Sequence, residues 1–217
     1  MSKTIIFGDI HGCLDEWKLL IEKIKPGKDD TLISVGDLIC KGPSSKKTLD
    51  FAMSLPSLRC VIGNHELHFL KAWKEQRLDD LSKDYQQRAL KEFGNNLDHY
   101  MRWIETWPFY IDLPICLVVH AGIRENISLL RQKNEDLCNL RNLEDGTPWH
   151  ERYQDKKLIV YGHWARQGLC VKENSIGLDS GCVYGKQLSA VILPERKIVQ
   201  VPAQKAYQGI DSKRDRD

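Results

Sequence analysis

The chain has 217 residues, 41% of them apolar and 29% charged, a balance that suits one soluble domain with a sizeable core. Its formal net charge of +2 removes any global electrostatic argument for nucleic acid or a membrane surface as partner, while an anionic substrate stays open because bound dications would dominate a local field. No apolar run is long enough to span a bilayer, and residues 1–7 lack the core of a signal peptide, so a cytoplasmic protein is expected.

The predicted elements alternate at first. Residues 4–7 read as a short apolar strand. Residues 13–24 carry helical spacing in Leu14, Trp17, Leu20, Ile21 and Ile24. A second strand is expected at 31–35, then a helix that Ser44 can cap and that carries Leu49, Ala52, Met53 and Leu55, then a third strand at 58–62. This βαβαβ order predicts a parallel sheet with right-handed crossovers. Residues 66–107 read as mostly helical, with charges alternating with Leu, Trp, Tyr and Phe as in helices that cover a sheet. A strand follows at 115–119, and 126–154 resists assignment.

The last third changes character. Short strands at 158–161, 169–172, 175–178, 187–193 and 197–201 are separated by Gly, Asn and Pro-Glu turns, which suggests antiparallel hairpins in a second sheet. The expectation is an α/β chain with two mixed sheets flanked by helices. It would form a single domain over residues 1–203, with a charged tail at 204–217 that frays. The seven cysteines are scattered, without a Cys-x-x-Cys pair, so free thiols are expected rather than a disulfide framework or a structural zinc site.

Five segments share one layout: an apolar strand, a small residue, then a polar side chain able to bind metal. They are TIIFGDIHG (4–12), TLISVGDL (31–38), LRCVIGNHE (58–66), ICLVVHAG (115–122) and KLIVYGH (157–163). In α/β sheets ligands bind beyond the carboxyl ends of the strands, so five such clusters can converge on one place. Glycines at 8, 36, 63 and 162 allow the sharp turns this needs. Aspartate, asparagine and imidazole donors suit two divalent cations, manganese first, with iron or zinc also fitting. Each motif alone is weak, since Gly-Asp after a strand is usually a turn. Four of the seven histidines, at 11, 65, 120 and 163, nonetheless fall in these clusters.

In this order, GDIHG, GDLICKG, GNHE, HAG and GH resemble the calcineurin-like metallophosphoesterases of the phosphoprotein phosphatase superfamily. The resemblance implies two central sheets flanked by helices. It implies that Asp9 and His11 bind a first metal, that Asp37 bridges both, and that Asn64, His120 and His163 bind the second. His65 would be the general acid at the leaving oxygen, and a hydroxide held between the ions would attack phosphorus. Glu66 reads equally as a supporting partner or as the start of a helix.

Protein phosphatases of the superfamily usually carry GDxVDRG at the second motif. Here Cys40 stands where the aspartate that orients the catalytic histidine would be, and Lys41 replaces a phosphate-binding arginine. Gly42-Pro43-Ser44-Ser45, Gly162-His163-Trp164-Ala165 and the segment from Leu178 to Gly185 resemble the symmetrical bis(5′-nucleosyl)-tetraphosphatases, although the stretch between His120 and His163 is shorter than theirs. Lys41 and Arg141 are the expected phosphate contacts, with Arg131 and Arg152 as alternatives to Arg141. The expected reaction is hydrolysis of diadenosine tetraphosphate to two ADP. A serine/threonine phosphatase with the same site is the alternative, which makes a nucleotide or a phosphoprotein the partner. Oligomeric state is left open.

Overall fold

The computed structural model describes residues 2–209. Two five-stranded sheets pack face to face. The first takes the order β10-β9-β1-β2-β3, from β1 (Thr4–Phe7), β2 (Thr31–Ser34), β3 (Leu58–Cys60), β9 (Gln187–Leu193) and β10 (Lys197–Pro202). The second takes the order β4-β5-β6-β8-β7, from β4 (Tyr110–Asp112), β5 (Cys116–Val119), β6 (Leu158–Tyr161), β7 (Cys170–Val171) and β8 (Ser175–Gly177). As expected from the βαβαβ opening, β1, β2 and β3 are parallel. In the second sheet β5, β6 and β8 are also parallel.

Period-two alternation sorts the apolar side chains into three layers. Ile6, Ile33 and Val35 point inward to meet Val118, Val160 and Ile176 of the other sheet, forming the seam between the sheets. Ile5, Phe7 and Leu32 face the opposite way, onto the helices α1 (Leu14–Ile24), α2 (Ser45–Met53), α3 (Asn64–Lys74), α4 (Asp84–Phe93) and α5 (Leu97–Ile104). Leu117, Val119, Ile159 and Tyr161 cover the outer face of the second sheet with Leu137 of α6 (Asn134–Asn139) and Trp149 of α7 (Trp149–Arg152). These two short helices occupy the stretch that had resisted assignment.

Two expectations are corrected. The final hairpin does not join the second sheet: β9 pairs antiparallel with β1, and β10 lies at the edge beside β9. The reason is burial. Ala190 and Ile192 enter the helix-side core while Val191 and Leu193 enter the seam, and a strand that is apolar on both faces needs an interior place. Ser44 stands at the N-cap of α2 but its hydroxyl makes no capping bond; instead Glu92 of α4 accepts the Lys46 N–H at 3.0 Å. The stretch after residue 203 is held down as far as it is described: the Gln204 N–H and the Tyr207 hydroxyl both donate to the Glu16 carboxylate, at 3.0 and 2.7 Å. Residues 210–217 of the expected tail lie outside the described residues.

Trp17 is the largest fully buried side chain of the helix-side core and meets Phe7 and Phe51 edge-on, with ring centroids 5.9 and 5.1 Å away. Trp17→Ala should cost about 3–5 kcal/mol of stability, read as a shift in the urea midpoint at unchanged slope.

Candidate active site

All six parallel strands end on the same side of the molecule, and each delivers a polar side chain. Asp9 and His11 follow β1, and Asp37 follows β2. Asn64 and His65 open α3 after β3. His120 follows β5, His163 follows β6 and Asp179 follows β8. The side chains expected from the motifs do meet. Asp37 Oδ2 lies 3.6 Å from His11 Nε2 and 3.5 Å from His120 Nε2. Asn64 Oδ1 lies 3.0 Å from both His120 Nε2 and His163 Nδ1. Asp9 accepts the His163 backbone N–H at 3.0 and 3.1 Å. One ligand atom from each of Asp9, Asp37 and His120, and likewise from His11, Asp37 and His65, falls within 4.8 Å of its companions.

The loops reach this geometry through strained backbone. Among the described residues, five of the nine non-glycine residues with positive φ are His11, Asp37, Cys40, Lys41 and His163, each in a loop of this site. Such conformations cost on the order of 1–3 kcal/mol each and persist only where the surroundings over-determine them. Two glycines are required by close approach. A Cβ on Gly162 would sit 1.9 Å from Asp9 Oδ1, and one on Gly42 would sit 1.8 Å from the His11 carbonyl.

Glu66 is the main restraint. It is fully buried in the first turn of α3, and it accepts four backbone N–H groups. Those of Asp37 (2.9 Å), Leu38 (2.9 Å) and Ile39 (3.2 Å) come from the second motif, and that of Gly63 (3.1 Å) comes from its own helix start. The last bond is one half of a capping box; the reciprocal half is missing because the N-cap is a glycine. The two readings of Glu66 left open by the sequence are therefore both true.

The electrostatics describe a place built for cations. Burial, with the charges of Asp179 and Asp37, holds the Asp9 carboxyl well above its usual range. Burial lifts Asp37 to about 7 and Glu66 to about 7, and it raises Asp179 as well. The imidazoles shift the other way. Burial pushes His120 down to about 4 and depresses His11 and His163 strongly, so all three are neutral near pH 7.

Their partners set the tautomers. The Nδ1 atoms of His11 and His120 lie 3.1 and 2.8 Å from the carbonyls of Ile39 and Val35, so in each ring Nδ1 carries the hydrogen and Nε2 presents a lone pair. The His120 lone pair then faces the Asn64 carbonyl oxygen with no proton between them. Converging lone pairs among buried carboxylates are what a bound divalent cation relieves, so the residues present fit the metals that the motifs imply.

Lys41 and Arg141 both act on this cluster. Burial works against the Lys41 ammonium, yet Tyr184, Asp37 and Asp179 together hold its pKa above the usual lysine value. Its Nζ lies 3.2 Å from His11 Nε2 and above the Tyr184 ring. Arg141 donates to the His163 carbonyl at 3.4 Å and lowers the pKa of both Asp37 and Asp179. The two alternatives do not join: Arg131 is exposed, and Arg152 is exposed and paired with Asp145.

His65 is buried, its ring edge-on to His11 at 4.9 Å and tilted against Tyr85 at 5.4 Å. Its Nδ1 has no hydrogen-bond partner among the described residues, consistent with Cys40 standing in place of a carboxylate. Burial, then the Lys41 charge, depresses its pKa strongly. Trp164, which follows His163, is half-buried beside His150.

Asp179 was given no role by the motifs. Its signal was the same layout at a sixth strand end, Ser175-Ile176-Gly177-Leu178-Asp179, hidden because the stretch read as part of a hairpin.

Two outcomes follow. Glu66→Gln leaves part of the four N–H groups without an acceptor, and it should lower stability by about 3 kcal/mol in denaturant titrations. It should also weaken manganese binding in calorimetry. Because metal binding needs the Asp37 carboxylate ionised and its pKa in the free site is about 7, the affinity should fall as pH drops below that value. One competing proton gives a loss of about tenfold per pH unit, and the loss steepens where Asp9 also takes up a proton, measured by calorimetry at several pH values.

The chain matches the calcineurin-like phosphoesterase family over residues 2–197. It is 30% identical to the symmetrical bis(5′-nucleosyl)-tetraphosphatase of Vibrio vulnificus strain YJ016, across 94% of this chain and 98% of that protein. It is 31% identical to the asymmetrical bis(5′-nucleosyl)-tetraphosphatase PrpE of Bacillus subtilis strain 168, across 93% and 95% of the two chains. A crystal structure assigned as a diadenosine tetraphosphatase superposes with a TM-score of 0.82 at 31% identity, covering 93% of this chain and 94% of that one. A serine/threonine phosphatase from Saccharomyces cerevisiae shares the fold alone, with a TM-score of 0.64 at 14% identity over 97% and 81% of the two chains. Motifs, fold and relatives agree, and the chain belongs to the calcineurin-like metallophosphoesterases, hydrolases of phosphate esters or anhydrides.

Proposed function

We propose that this chain hydrolyses dinucleoside polyphosphates, with diadenosine tetraphosphate cleaved symmetrically into two ADP. The observation that carries this reading is similarity to bis(5′-nucleosyl)-tetraphosphatases over more than nine-tenths of the chain, combined with the meeting of Asp9, His11, Asp37, Asn64, His120 and His163 in one place. Asp9 and His11 would hold one divalent ion, Asn64, His120 and His163 a second, with Asp37 between them. Manganese is the first candidate, and iron or zinc suits the same donors. The ions would supply Lewis acidity and lower the pKa of bound water.

The chain's own residues do the rest. Lys41 and Arg141 bind non-bridging phosphate oxygens, and Lys41 does so as a point charge where an arginine would form a fork. Water adds to phosphorus and the bond to the leaving nucleotide breaks, the departing oxygen taking a proton from His65. In the free site the His65 imidazolium is disfavoured. The proton therefore comes with the polyanionic substrate, whose charge raises the imidazole pKa. Cleavage between the central phosphates is supported by the GDLICKGP and GHWA segments and by the relative from Vibrio. The relative from Bacillus makes the asymmetrical products the first competing outcome.

Chromatography of products from diadenosine tetraphosphate, with manganese present and a phosphothreonine peptide offered alongside, tests the reading. ADP as the sole nucleotide product is expected. ATP plus AMP would reassign the cleaved bond, and phosphate from the peptide with the dinucleotide intact would move the protein to the phosphatases.

A second outcome concerns His65. His65→Ala should slow dinucleotide hydrolysis on the order of 10²–10⁴-fold, while p-nitrophenyl phosphate, whose leaving group needs little protonation, should lose far less. Equal losses on both substrates would remove the general-acid assignment.

A further inference from the structure

Behind the loop that carries Asp9 and His11 lies a second cluster of ligand-type side chains. Cys13 is the N-cap residue of α1, Glu16 sits one turn into that helix, and Cys182 lies in the turn that follows Asp179. All three are buried, at 0%, 1% and 2% exposure. Two sulfurs and one carboxylate oxygen fall within 4.8 Å of one another.

The carboxylate is unevenly satisfied. Glu16 Oε1 accepts from the Gln204 N–H and the Tyr207 hydroxyl, whereas Oε2 is buried and has no partner among the described residues. An unpaired carboxylate oxygen in an apolar surrounding is costly, and the nearby thiols are weak donors: Cys13 Sγ makes a long 3.8 Å contact with the His11 carbonyl and pairs with the Cys182 thiol. The groups also lie beside the amino-terminal end of α1, where the helix dipole favours negative charge.

We propose that Cys13, Glu16 and Cys182 form a structural zinc site, distinct from the catalytic centre, with water in the fourth position. Two sulfurs and one oxygen are a thiophilic donor set that selects zinc over manganese or magnesium. Zinc–sulfur bonds of ~2.3 Å in a tetrahedron place the sulfurs roughly 3.8 Å apart, so the present cluster needs only a small contraction. As the bonds form, the thiol protons leave to solvent, and the orphaned Oε2 gains its partner.

The ion would pin three segments: the start of α1 behind the first motif, the loop that bears Asp179 and Tyr184, and, through Glu16, the stretch up to Tyr207. No Cys-x-x-Cys spacing announces such a site because its ligands come from opposite ends of the chain.

Cobalt substitution tests this directly. Every side chain expected at the catalytic centre binds through oxygen or nitrogen, so a sulfur-to-cobalt charge-transfer band in the near ultraviolet can arise there from none of them. Full-length protein, kept reduced with a phosphine, should develop the band on cobalt titration and lose it when zinc is added. Cys182→Ser should lack the band, bind one equivalent of zinc fewer by atomic emission, and retain manganese-supported turnover. Glu16→Gln should keep the hydrogen bonds to Oε1 while binding zinc more weakly.

A reduced wild-type protein without the band, or a band that survives in Cys182→Ser, would overturn the proposal. If Cys182→Ser fails to fold, the wild-type band and its displacement by zinc decide alone. Loss of two thiols in protein isolated without reductant, restored by phosphine with no band on cobalt addition, would also overturn it, leaving a cysteine redox pair in its place.

Discussion

The arrangement depends on one buried carboxylate. Glu66 gathers the backbone N–H groups of Asp37, Leu38, Ile39 and Gly63, and so joins the loop after β2 to the first turn of α3. The amides of Leu38 and Ile39 follow Asp37, which adopts a left-handed conformation that costs a residue other than glycine energy. The Glu66 charge offsets that strain with bonds that are strong because they lie in a dry environment. Fixing the backbone on both sides of Asp37 fixes its side chain, which also accepts the His65 N–H at 3.0 Å. The geometry of the remaining site is set around that carboxylate.

The frame that brings the other side chains to Asp37 is the pairing of two parallel strand trios, β1-β2-β3 and β5-β6-β8, across an apolar seam. Parallel strands end together, so the polar residue after each one arrives at a common edge. Within that edge the protein concentrates buried carboxylates and neutral imidazoles and balances them only in part, with Lys41 and Arg141. Such a site holds its free energy high until cations enter. The backbone carbonyls of Val35 and Ile39 contribute by fixing which imidazole nitrogen is available.

The second motif shows how this chain departs from the phosphatase pattern. A lysine replaces an arginine and a cysteine replaces an aspartate, with two structural effects. Lys41 is drawn between His11 and Tyr184. His65 is left with ring contacts to His11 and Tyr85 in place of a hydrogen bond at Nδ1. Both are changes in how a charge or a proton is held, in a fold that is otherwise shared with relatives at about 30% identity.

Local pattern was enough for much of this. Apolar strands that end in a small residue and a polar ligand type are legible because the strand period and the turn chemistry are local properties, and five such ends in order pointed to the family and to most of the side chains that meet at the strand ends. What local pattern cannot carry is which strand lies beside which. The sequence reads β9 as part of a hairpin. Only burial on both of its faces places it next to β1, a residue pairing that spans nearly the whole chain. Asp179 escaped notice for the same reason, since its strand becomes the sixth parallel strand only once β6 pairs with it. Glu66 could be read as a helix start or as a support; its four amide partners decided that it is both. The tertiary structure alone also brings Cys13, Glu16 and Cys182 together, because separation along the chain says nothing about distance once two sheets close on each other.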